Sequence, residues 1–185
     1  MRESKIAKSY AKSYFDLAVE QDILEPAHRD MNLIAEVCVS NSDFRSFLKN
    51  PIIKNKKKQR IIRELFSNQI SNITLSFLNI IVANNREEFI ERISRDFIQQ
   101  YRDFKNIKTA YIKTAVKIDK EMREKIKKIL EQQTNAQIDL VEQVDEDLIG
   151  GFILTLEDKQ YDASILFKMK KLIKEFEHNI YIRKF

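Results

Sequence analysis

Side chains able to do covalent or proton-transfer chemistry are few in this chain of 185 residues: one cysteine, Cys38, and two histidines, His28 and His178. A nucleophilic triad needs a histidine oriented by a carboxylate and touching Ser or Cys. His28 falls on a helical surface position and His178 in charged company near the C-terminus, so both read as solvated side chains. Cys38 shares an apolar stripe with Ile34 and Ala35 and reads as a small buried hydrophobe. A lone cysteine forms no intrachain disulfide, and too few Cys and His are present to assemble a zinc cluster. Such usage suits a reducing compartment.

Charged clusters are the next candidates. Asp139, Glu142, Asp145, Glu146 and Asp147 stand together with no Lys or Arg between Gln132 and Ile153. A calcium loop counted from Asp145 puts Ile149 at a ligand position and fails. Paired carboxylates for acid–base work stay open beside the simpler reading, an exposed acidic turn. Lys54, Lys56, Lys57, Lys58, Arg60 and Arg63 form a run without an acid. The run suits phosphates or an anionic surface. It has no aromatic before Phe66, which favours a solvated helix face meeting an acidic protein partner over a nucleic-acid face.

Glycine occurs only twice, at Gly150 and Gly151, where average usage gives roughly thirteen. Neither a GxGxxG fingerprint nor a phosphate loop can be written with one adjacent pair, so no nucleotide cofactor is expected. The pair therefore reads as a backbone requirement, either positive φ or an approach too close for Cβ, in a tight turn or bulge. No metal or other cofactor is expected.

The elements that must position these residues follow from period and punctuation. Proline also occurs only twice, at Pro26 and Pro51, so long helices can run. Charged residues make up 33% and apolar ones 43%, the mix of a folded soluble domain, and the net charge of +5 is mild for a nucleic-acid binder. No apolar run approaches the roughly 18 residues of a membrane span. No apolar h-region follows Met1 to Lys5, and the first twenty residues fit a mature helix better than a transit peptide. Apolar residues recur at three and four through Ile6, Ala7, Tyr10, Ala11, Tyr14, Leu17 and Ala18, and five further helical segments follow up to Phe104. Among them, Ile73 to Ala83 is apolar almost all round, as in a central helix or one awaiting a partner. Asn85 with Glu88 reads as a capping box. Beyond Lys105-Asn106 the period changes. Thr109 to Val116 alternates as a strand, Asp119 caps a helix, Ile138 to Val144 and Phe152 to Leu156 are strands, and a last helix carries Ile165, Met169, Leu172, Ile173 and Phe176. Tyr161 can begin one more short strand. The expected fold is mainly α with a smaller α+β part: an N-terminal six-helix bundle over 1–105, then a β-α-β-β-α domain over 106–185.

Several segments together resemble a known family. Val144-Asp145, Leu148-Ile149, Gly150-Gly151, Asp162 and Ser164 are similar to the C-terminal signature of the delta subunit of the rotary F-type ATP synthase, the family of the oligomycin-sensitivity-conferring protein. The stretch from Tyr10 to Ala18 resembles its opening helix, and Asn50-Pro51 before a Lys-rich helix and Phe77-Leu78 through Asn84 and Arg86 agree as well. Ser9, Ser13, Tyr14 and Glu157 depart from the family pattern, the last at a turn where the family often has Gly.

The resemblance implies a non-catalytic stator subunit, with no active site or cofactor of its own. It implies a peripheral protein on the cytoplasmic face of the bacterial inner membrane, in proton-driven ATP synthesis. The helical domain would bind the N-terminal helices of α subunits in the catalytic head, in a groove of its first and fifth helices, and Tyr10, Ala11, Tyr14, Phe77 and Ile81 are the candidates for it. The second domain would bind the b subunit of the peripheral stalk. A small basic nucleic-acid-binding protein using Lys54 to Arg63 is the alternative reading, and an enzyme using the acids around Asp145 is a further rival.

Overall fold

A chain this poor in glycine must turn by other means, and asparagine and aspartate do most of that work. Asp22, Asn85, Asn106 and Asn135 adopt left-handed φ of 57°, 55°, 52° and 52°. Their short polar side chains bear that conformation better than other non-glycine residues do. The computed structural model describes the backbone of residues 2–178 and the side chains of residues 5–174. Between the turns lie α1 (Arg2–Glu20), α2 (Leu24–Ser40), α3 (Ser42–Lys49), α4 (Asn55–Phe66), α5 (Asn72–Ala83), a 3-10 turn at Glu87–Phe89 and α6 (Ile90–Phe104). There follow β1 (Ile107–Thr114), α7 (Lys120–Thr134), β2 (Gln137–Val144), β3 (Phe152–Leu156), β4 (Lys159–Asp162) and α8 (Ile165–His178). The fold is mainly helical with a small mixed sheet, as expected. The second part runs β-α-β-β-β-α, one strand more than the β-α-β-β-α pattern, because the short segment at Tyr161 pairs with β3. Asn85 does not cap the next helix; its left-handed backbone ends α5 instead.

The chain forms two compact units, Met1–Phe104 and Lys105–Phe185. In the first, Ala7, Ala11 and Ala18 are fully buried on α1 and let α6 approach closely. Ile90, Ile93 and Phe97 of α6 and Met31, Ile34 and Cys38 of α2 complete the same core. One charged residue joins them. Lys58 continues the α4 stripe of Ile62 and Phe66, at four-residue spacing, into the interior. Its Nζ donates to the Leu48 carbonyl at 2.8 Å and to Glu87 Oε1 at 2.5 Å, tying α4 to the end of α3 and to the 3-10 turn. Lys58 is therefore no part of the solvated basic face that the run suggested.

In the second unit the strand order is β2-β1-β3-β4, with β1 and β2 parallel and the other pairs antiparallel. Asp119 caps α7 through the Met122 amide at 2.6 Å. Leu130 of α7 packs on Ala110, Ile112, Ile138 and Leu140 of the sheet. Polar side chains of α7 also reach the backbone of the outer strand β2. Arg123 donates to the Leu140 carbonyl at 3.1 Å and pairs with Glu142 at 3.0 Å, while Glu131 accepts from the Ile138 amide at 3.2 Å.

Candidate functional site

In the first unit, α1 and α5 meet through stacked rings. Tyr14 and Phe77 lie 4.3 Å apart and 10° from parallel. Tyr14 owes its position to a buried polar chain. Its hydroxyl lies 2.6 Å from Thr74 Oγ1, Thr74 donates to Asp30 Oδ2 at 2.5 Å, and the Ser71 amide donates to the same oxygen at 2.9 Å. Ser71 is the N-cap of α5, so one carboxylate on α2 fixes both the start of α5 and the tyrosine of α1. Burial pushes the Tyr14 hydroxyl above its ordinary pKa, and the charge of Asp30 adds to that.

Four of the five residues expected to contact the head line this interior: Ala11, Tyr14, Phe77 and Ile81 are at most 9% exposed. They form the floor of the α1–α5 seam. Tyr10 is the rim residue of the five; it is half-buried, and its hydroxyl accepts from Asn84, the residue that caps the end of α5, at 3.1 Å. Across the seam Ile80 stands 54% exposed and Ile73 half-buried. The helix period holds the signal for this division. Tyr14 lies in register with Ala7, Ala11 and Ala18, whereas Tyr10 and Ile80 lie a residue off the buried stripes.

In the second unit the signature residues gather at one junction. Asp145 leaves β2 with its amide bonded to the Thr114 carbonyl at 2.9 Å, and its Oδ1 accepts the Asp147 amide at 3.2 Å. Leu148 is buried. Gly151 has φ +82°, and a Cβ there would collide with the Ala163 carbonyl oxygen and lie 2.9 Å from Ser164 Cα. Gly150 has no positive φ; its carbonyl accepts the Ile165 amide at 3.0 Å. Asp162 accepts the Ser164 amide at 2.8 Å, and buried Ser164 caps α8 through the Phe167 amide at 3.1 Å. The Ser164 hydroxyl and amide hold the Asp162 carboxyl below the usual carboxylate range. These residues thus form a fastener that seats the glycine turn on the start of α8.

Beyond that fastener α8 keeps an open apolar side. Ile165, Met169, Leu172 and Ile173 form it and are 42–54% exposed, while Phe167, 49% exposed, lies on the opposite side of the helix. Lys168, Lys170, Lys171 and Lys174 accompany them. The side chains of Phe176 and His178 lie outside the described residues.

The other chemical candidates take structural places. Cys38 is fully buried, and burial pushes its thiol up to about 12. His28 is no plain solvated side chain: it stacks on Tyr101 at 3.7 Å, and burial lowers its pKa. In the acidic cluster Glu142 pairs with Arg123 and Asp145 shapes a turn. Among the described residues no group of three or more His, Cys, Asp and Glu is arranged to hold a metal, and no helix is long and apolar enough to cross a membrane.

Comparison with known proteins gives one consistent result. The sequence model of the family described as ATP synthase delta (OSCP) subunit matches residues 6–176. The chain is 33% identical over 180 residues to an ATP synthase subunit delta of Cytophaga hutchinsonii, covering 97% of this chain and 98% of that one. It is 32% identical over 184 residues to the subunit delta of Christiangramia forsetii, covering both chains fully. Its fold is similar to a chain in the mitochondrial ATP synthase hexamer of Toxoplasma gondii, with a TM-score of 0.67 at 19% identity over 92% of this chain and 97% of that chain.

Proposed function

We infer the mechanical role of this chain from one premise: it belongs to the ATP synthase delta (OSCP) subunit family. The chain is a stator subunit of a rotary ATP synthase, a link between the catalytic head and the peripheral stalk. The observation that carries the reading is the match over nearly the whole chain, through both compact units. The link resists rotation of the head while the central shaft turns, so that torque is spent on the catalytic sites. It takes no chemical step itself.

The finer reading assigns one grip to each unit, residues 1–105 to the head and 106–185 to the stalk. The N-terminal helices of α subunits lie along the α1–α5 seam. They contact Tyr10, Ile80 and Ile73 at the rim, while Ala11, Tyr14, Phe77 and Ile81 set the rim's spacing from below. That is helix-in-groove recognition, with a rigid floor limiting what the groove must reorganise. The b subunit of the stalk lies on α8, where half-exposed apolar residues alternate with lysines. The complex sits at the cytoplasmic face of a bacterial inner membrane, and this chain reaches the membrane only through it. Nothing favours the nucleic-acid alternative: Lys58 and Phe66 are both buried, which leaves the basic run without a stacking platform.

Separable lesions in the full chain test this reading. Tyr14→Asp is unsuitable, because a carboxylate there strikes the core. Ile80→Glu acts on exposed surface and should weaken binding of a peptide copying the α-subunit N-terminal helix, leaving stalk binding intact. Leu172→Glu/Ile173→Glu should do the reverse. Membranes reconstituted with either variant should hydrolyse ATP with impaired proton pumping. Normal pumping by both variants would overturn the two-grip reading.

A further inference from the structure

The corner between α3 and α4 carries a surface that neither grip uses. Lys54, Lys56, Lys57 and Arg63 are exposed and form no ion pair among the described residues, whereas Arg60 is paired with Glu64. Beside Lys54 stands Ile52, 87% exposed, the most exposed of the large hydrophobic residues in the described chain. The first turn of α4 holds no acid and no capping side chain, so its free amides add to the positive field. We propose that this corner is a docking surface for an acidic segment of a partner polypeptide, whose carboxylates meet Lys54, Lys56, Lys57 and Arg63 and which covers Ile52.

Three observations select a polypeptide over other anions. Of the apolar residues of α4, Ile62 and Phe66 are buried in the unit's core, Ile61 is half-buried and Leu65 alone is exposed, at 48%, so the helix offers a bilayer one apolar side chain rather than a face. Phe44 and Phe66 are buried as well, so the cations have no aromatic to stack a base. Finally, Lys56, Lys57 and Arg63 sit on one helix of 12 residues, about 18 Å long, each three or four residues from the paired Arg60, with Lys54 at the helix N-cap, so an extended run of carboxylates on a facing segment can meet them in turn.

The test uses the full chain and a fluorescein-labelled acidic peptide of glutamates with one central leucine, followed by anisotropy at low salt. The reversal Lys54→Glu/Lys56→Glu/Lys57→Glu should weaken binding roughly tenfold, since each exposed pair contributes a factor of about two. Ile52→Ser should weaken it as well, and replacing the peptide's leucine by serine should abolish the difference between Ile52→Ser and the unaltered chain. A control reversal on α7, Lys120→Glu/Lys128→Glu, should leave binding unchanged. All altered side chains are exposed, and matching thermal melts check that the variants fold. Equal binding by the α4 reversal and the unaltered chain overturns the proposal. So does preferential binding of vesicles of equal parts phosphatidylcholine and phosphatidylglycerol, or of a single-stranded oligonucleotide, which would give the corner to a membrane or a nucleic acid. Failure of the head and stalk lesions described above leaves this test unaffected, since it uses neither face.

Discussion

The buried pair of Lys58 and Glu87 yields a sharp energetic test. The Lys58 side chain is 2% exposed and that of Glu87 11%. Lys58→Met leaves the carboxylate with no cation, and its Oε2 already lacks a hydrogen-bond partner. Glu87→Leu leaves the ammonium with only the Leu48 carbonyl. Breaking a buried pair from one side costs about 3–5 kcal/mol, so we expect about 4 kcal/mol for Lys58→Met and about 3 for Glu87→Leu, where one bond survives. The double variant removes both charges together. It forfeits mainly the bond to Leu48 and should cost only about 1–2 kcal/mol. The interaction energy should therefore be about 5–6 kcal/mol. Urea unfolding of the full chain, followed by far-ultraviolet circular dichroism, measures it, because six of the eight described α-helices belong to the first unit. Additive losses, with the double variant as costly as the two single ones combined, would refute the claim that each charge is there because of the other.

Three further outcomes follow from local geometry. Gly151→Ala should destabilise the second unit by about 2 kcal/mol, through positive φ and the collision with Ala163. Gly150→Ala should cost well under half of that, since its Cβ meets only the flexible end of Ile165, and thermal melts compare the two. Glu157 holds φ +52° at the turn between β3 and β4 and pairs at 3.0 Å with Lys108. Relief of that backbone, about 1 kcal/mol, should outweigh a pair that is largely exposed, so Glu157→Gly should raise the melting temperature. Cys38, with its thiol pushed up to about 12, should resist a thiol reagent at pH 8 in the folded chain and react on unfolding. Because its folded pKa lies above the unfolded value, its contribution is complete below about pH 9 and is lost as pH rises toward 12. A Cys38→Ala variant should lose less stability than the unaltered chain over that alkaline interval.

Much of this was legible in the sequence because helix period and turn chemistry are local. The alanines of α1 at positions 7, 11 and 18, the Asp119 cap and the change of period after Phe104 are written in short spacings. What escaped depends on distant partners. Lys58 looks like one more solvated lysine until Glu87, 29 residues away, is placed beside it, although its four-residue spacing to Ile62 and Phe66 already pointed inward. Tyr14 and Phe77 read equally well as partner contacts or as core. Tyr14 is held inside by Thr74, 60 residues away, and by Asp30 on another helix, and Phe77 stacks on Tyr14 in turn. Of the two glycines, only the return of the chain at Ala163 and Ser164 determines which one is conformationally required.

The side chains that α7 lays along β2 have a consequence for how the second unit can hold anything at all. An open sheet edge is a template on which another chain can add as a strand. On β2, Arg123 occupies the Leu140 carbonyl and Glu131 the Ile138 amide, so an incoming backbone would first have to displace both. The opposite edge, β4, spans only four residues. Main-chain augmentation is thereby disfavoured at β2, for a physiological partner and for a second copy of the same chain alike, while β4 offers an incoming strand only its four residues. A grip at the β2 edge is therefore a matter of side chains, chosen by shape and charge, and the same blockade guards that edge against edge-to-edge aggregation and strand exchange between neighbours.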